Sequence, residues 1–114
     1  MTLKAIFAQL SCSDLPTSTR WFAMLFDRPP DATPMPGLAE WHHGEHAGFQ
    51  LFEGKDNAGR GTLTLIVTAV RDEHARLSRV GLDLGEVEAA DYTSIIRLND
   101  PDGNLVVLAQ PGRA

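Results

Sequence analysis

Cysteine is nearly absent from this chain. Cys12 is the only one in 114 residues, which excludes an internal disulfide and fits a reducing cytoplasm. It stands in an apolar run ahead of a helix pattern, so it reads as a buried structural thiol rather than a nucleophile. Basic charge is also scarce and scattered: the ten Lys and Arg never stand side by side, and the net charge is −5. That balance argues against nucleic acid, because neutralising phosphates needs clustered cations. No apolar run approaches the length of a membrane span, so no membrane partner is expected. The opening MTLKAIFAQLSCSDL alternates like a strand and lacks a small-residue cleavage site, so no signal peptide is expected. Phosphate loops are missing, since AGRG at 58–61 has no lysine after it. Ser11, Ser13, Ser18, Ser78 and Ser94 lack the flanking glycines of a nucleophile elbow.

What remains is an ordinary soluble composition, 43% hydrophobic and 22% charged, at a length that makes one domain. Residues 5–12 alternate between an apolar set (Ile6, Ala8, Leu10, Cys12) and a mixed set (Phe7, Gln9, Ser11). That is a strand with one face toward a helix-packed core. Ser13, Asp14 and Pro16 then open a helix whose stripe is Leu15, Phe22, Leu25 and Phe26, with Trp21 beside it. The helix ends before Arg28-Pro29-Pro30. Residues 29–37 hold four of the seven prolines and read as an extended loop or edge segment. A hairpin follows, 38–43 with 47–52 around Gly44-Glu45, and the polar stretch 53–61 reads as a linker.

The pattern then restarts. Residues 62–67 alternate as a strand, and 70–80 form a charged helix with the stripe Val70, Leu77 and Val80, stopped by Gly81. Residues 82–90 read as a weak strand. The last hairpin is 92–98 with 105–110, its turn set by Asp100-Pro101-Asp102-Gly103, where proline presets φ and glycine tolerates positive φ. The fold class is α+β: two βαβββ modules, about 1–54 and 61–114, forming one domain with a cupped mixed sheet.

This order resembles the vicinal oxygen chelate superfamily of glyoxalases, bleomycin- and fosfomycin-resistance proteins and extradiol dioxygenases. The resemblance is carried by Leu10–Leu15 at the strand-to-helix junction, by Ser18 with Trp21-Phe22, by Leu65–Val70 opening the second module, and by Asp100–Asn104. It covers essentially the whole chain. It implies a cleft between curved sheets, with a metal in many members. The metal-ligand positions of those members fall here on Phe7, Thr62 and Val107, with a further one near Gln50. Neutral and apolar side chains there do not supply the donors a divalent ion requires.

His42, His43 and His46 could form a metal cluster, but neighbours on a strand point to opposite faces and His46 lies past the turn. A solvated hairpin is the plainer reading. His74 sits in a charged helix, RDEHARLSR, and reads as a surface residue. No metal site and no cofactor are therefore expected, and no catalytic residue is assigned. The ligand-binding candidates are Phe7, Gln9, Trp41, His43, Gln50, Phe52, Thr62, Thr64, Arg97 and Val107, as aromatic walls with a few polar groups. Trp41 is expected to touch ligand and to be dispensable for folding. Together these point to a cytoplasmic homodimer that sequesters a small organic molecule. The alternatives are a metal-dependent lyase, isomerase or dioxygenase, and a structural or regulatory homodimer with a filled cavity.

Overall fold

Two residues set the first crossover. Asp14 leaves the strand at φ −139°, and its carboxylate accepts the Thr17 N–H at 3.1 Å, capping the helix that follows. Asp27 ends that helix in the left-handed region at φ 59°. The stop thus comes two positions before Pro29 and is made by the cap itself. In the computed structural model, which describes residues 1–112, the elements are β1 (Ile6–Cys12), α1 (Leu15–Phe26), β2 (Ala32–Met35), β3 (Leu38–His43), β4 (Ala47–Glu53), β5 (Thr62–Ile66), α2 (Val70–Arg79), β6 (Glu88–Ala89), β7 (Thr93–Asn99) and β8 (Leu105–Pro111).

Each half forms one four-stranded sheet, in the orders β1-β4-β3-β2 and β5-β8-β7-β6. The first strand of each runs parallel to the last, and the remaining pairs are antiparallel. The parallel pair is what a helical crossover permits. Both helices cover the same side of their sheets. There Leu10, Cys12, Phe22, Trp41 and Leu51 from the first module join Leu63, Val70, Leu77, Ile96 and Val106 from the second in one core.

Two expectations about the second module change. The segment 82–90 contributes only the two-residue β6, because Leu82 is buried and its N–H bonds Leu77 O at 3.1 Å, extending the helix end instead of a ladder. Val80 is 46% exposed, so the α2 stripe ends at Leu77 and Leu82 takes the place expected for Val80.

The modules are joined at two ends of α1. At its start, the β7–β8 turn docks: Asp102 accepts the Ser13 N–H at 3.1 Å and the Ser13 hydroxyl. Behind it, fully buried Asn104 donates to Ser11 O at 2.9 Å and accepts the Gly61 N–H at 2.9 Å. Gly59 is required here, since its φ is +83° and a side chain would strike the Asp102 carbonyl. At the other end, Arg76 of α2 donates to the carbonyls of Met24 at 2.9 Å and Leu25 at 2.6 Å. Those are last-turn acceptors of α1 with no partner inside the helix.

Candidate functional site

Strand alternation leaves each sheet with an open face, turned away from the helices. Eight of the ten candidate residues lie there. Phe7, Gln9, Gln50 and Phe52 occupy it in the first module, and Thr62, Thr64, Arg97 and Val107 in the second, as the pairings Gln9↔Gln50 and Thr64↔Val107↔Arg97 require.

The first open face carries an ordered polar row. Gln9 Nε2 donates to Gln50 Oε1 at 3.0 Å, and Gln50 Nε2 donates to Glu40 Oε2 at 2.7 Å. His42 Nε2 lies 3.0 Å from Glu40 Oε1. Strand pairing builds this row directly, because β3 and β4 set Glu40 opposite Gln50, and β4 and β1 set Gln50 opposite Gln9. The Glu40 side chain is only 13% exposed, and the hydrogen bonds from His42 and then Gln50 hold its carboxyl below the usual range. It is therefore ionised at neutral pH. Along the row lies Phe7, 37% exposed, with its ring over Gly48. A Cβ at Gly48 would meet that ring at 2.5 Å. The same ring stands edge-on to His42, with centroids 5.9 Å apart.

The second open face is plainer. The equivalent row is Thr64, Val107 and Arg97, and Arg97 Nε pairs with Glu88 at 3.1 Å in an exposed bridge.

Trp41 and His43 lie on the other side of the first sheet. Their parity on β3 places them on the helix side, not with Gln50 and Phe52. Trp41 is 2% exposed, its indole N–H donates to Arg28 O at 3.0 Å, and its ring packs with Phe22, Phe26 and Phe49. It is core. Both residues line a cavity of about 760 Å³ between the modules on that side, bounded by Phe26, Phe49, Leu63 and Leu65. Arg28, Glu73 and Arg76 stand at its edge, two of them already paired with each other.

Glu40 and His42 were missed by the sequence reading. The signal was present: a hairpin turning at 44–46 pairs 43 with 47, hence 40 with 50. Cys12 is fully buried, and burial first, then the nearby Asp102 charge, pushes its thiol up to about 11. It offers no thiolate near neutral pH. Among the described residues, no three His, Cys, Asp or Glu side chains gather as a metal-holding group, and no helix is long and apolar enough to cross a membrane.

No protein-family model and no curated protein matches this sequence. Solved structures do match. A glyoxalase/bleomycin resistance protein from Catenulispora acidiphila DSM 44928 superposes with TM-score 0.86 at 24% identity, over 96% of this chain and 98% of that one. An antibiotic binding protein from Streptomyces sp. CB03234 gives 0.81 at 18% identity, over 98% and 97%. A lactoylglutathione lyase from Agrobacterium tumefaciens gives 0.77 at 15% identity, over 92% and 91%. Two mixed four-stranded sheets, each with its crossover helix, in this order give the chain the fold of the glyoxalase/bleomycin-resistance proteins, the vicinal oxygen chelate fold.

Proposed function

We propose that this protein binds a small organic molecule on its open sheet faces, as a homodimer and without a metal. The observation that carries the reading is the first open face. Gln9, Gln50, Glu40 and His42 form a held polar row beside the exposed Phe7 ring. An apolar wall with a few oriented polar groups is what small-molecule recognition uses. Affinity would come from stacking and apolar burial, with the row fixing orientation. Sequestration of this kind needs no catalytic residue. The antibiotic-binding description of one structural neighbour supports it.

Exposure supports the homodimer. Phe7, Phe52 and Ile66 stand out from the open faces, Ile66 at 67%. A second copy laid over these faces would cover them and enclose the ligand.

The resemblance assigns the metal-ligand positions of the fold's metalloenzymes to Phe7, Thr62 and Val107, with a further one near Gln50, and on that mapping the first three hold a ring, a hydroxyl and an isopropyl group. The Phe7 ring already fills the space over Gly48. Hard or borderline divalent ions need charged or imidazole donors, so these residues do not fit one.

The test is metal response. After chelator treatment, the thermal midpoint is followed with Mn, Fe, Ni and Zn. Ions that bind only the folded state must raise it. No shift is expected. A clear rise with one metal at stoichiometric occupancy would overturn the metal-free reading and favour a lyase, isomerase or dioxygenase.

A further inference from the structure

Resting on that reading, we propose that Glu40 makes the site selective for ligands bearing a positive charge, an aromatic amine or amidine rather than a carboxylate or phosphate. Both Glu40 oxygens are held, one facing His42 Nε2 at 3.0 Å and the other Gln50 Nε2 at 2.7 Å. These donors fix the carboxylate in place without bringing a Lys or Arg to it. A carboxylate can accept about four hydrogen bonds, so both oxygens keep capacity for a ligand donor. Among the described residues no Lys or Arg pairs with Glu40.

The second module makes the contrast. At the equivalent place in the Thr64–Val107–Arg97 row stands Arg97, and Glu88 neutralises it on the neighbouring strand. Only the first open face therefore holds a net charge at its middle. A ligand that covers Glu40 removes water from an ion already 13% exposed. Covering a carboxylate that no Lys or Arg pairs is costly unless the covering group brings a cation. An anion would add repulsion to that cost. Phe7, exposed beside the row, offers its ring to the same cation.

The probes are 9-aminoacridine, a planar aromatic cation, and anthracene-9-carboxylate, an anion of the same ring size. Each is titrated by fluorescence into the wild type and Glu40→Gln at about pH 8, where the Glu40 carboxyl is ionised. The wild type should prefer the cation by at least about tenfold, and Glu40→Gln should lose about tenfold for the cation alone. If both probes bind but Glu40→Gln holds the cation as tightly as wild type, the charge selection is wrong while the binding site stands. If neither probe binds wild type, the selection falls together with the binding reading. Should Glu40→Gln fail to fold, the salt dependence of wild-type cation affinity decides. Affinity must weaken as salt screens the pair, and insensitivity to salt overturns the proposal.

Discussion

Asn104 and Ser11 lie ninety-three residues apart, and the amide of fully buried Asn104 donates to the half-buried Ser11 carbonyl at 2.9 Å. The same side chain accepts the Gly61 N–H and donates to Asp100 at 2.8 Å, so every polar atom of the amide is used. The turn that begins the last strand is thus also the clasp between modules. Asn104→Ala takes their side-chain partner from the half-buried Ser11 carbonyl and Gly61 N–H and from buried Asp100. Each orphaned group costs about 1–3 kcal/mol, so a loss of several kcal/mol is expected. Urea unfolding measures it. A loss below about 1 kcal/mol would mean that water replaces the clasp.

Trp41→Ala should unfold or strongly destabilise the protein, by about 3–5 kcal/mol, as for large aromatics removed from a core. Its place among Phe22, Phe26 and Phe49, with its indole bonded to Arg28 O, makes it structural. Thermal unfolding of the variant decides. A midpoint near wild type would put Trp41 back among the dispensable pocket walls.

Phe7→Ala should behave oppositely. The ring is 37% exposed and covers a glycine, so its loss should cost under about 1.5 kcal/mol of stability. Binding of 9-aminoacridine should weaken by about tenfold with the loss of stacking and cation–π attraction. Unchanged affinity in a folded variant would remove Phe7 from the site.

Cys12 gives the pH prediction. Its folded thiol is pushed up to about 11 from its ordinary 9.0, chiefly by burial. Between those values the unfolded chain has released a proton that the folded chain still holds. The contribution of Cys12 to stability is therefore complete below pH 9 and falls as pH rises toward about 11. Against Cys12→Ala, wild type should lose extra stability across that window. Alkylation at neutral pH should be slow in the folded protein and complete after denaturation; fast labelling when folded would show the thiol to be accessible.

A second copy should be present in solution. Ile66→Glu places a charge on a 67% exposed apolar position of an open face. If that face is the interface, light scattering should report a dimer for wild type and a monomer for the variant, with little change in the monomer's secondary structure. A monomeric wild type at micromolar concentration contradicts the dimer.

Much of this was legible in the residues, and the reasons are local. The alternation of Ile6, Ala8, Leu10 and Cys12 against Phe7, Gln9 and Ser11 gave both faces of β1, because a strand's side chains have period two. Asp14 with Pro16, and Asp100 with Gly103, marked a cap and a turn through their own backbone chemistry. The segment 82–90 was not legible, since the burial of Leu82 against the helix end is a tertiary choice. Parity puts Trp41 and His43 on the helix side, where both line the cavity between the modules. A shift of one residue exchanges the two sides of a strand, and aromatic character was read as pocket wall where the hairpin register made it core. The same pairing sets Glu40 beside Gln50, which the residue types alone did not show.

The measurement that bears most directly on the central claim is backbone amide shift mapping of the chelator-treated, isotope-labelled protein during titration with 9-aminoacridine. Saturable shifts centred on Phe7, Gln9, Glu40, His42 and Gln50, without added metal, are what an open-face binding protein predicts. Shifts confined to the helix-side cavity around Trp41, His43 and Phe49, or none until a metal is added, would contradict it.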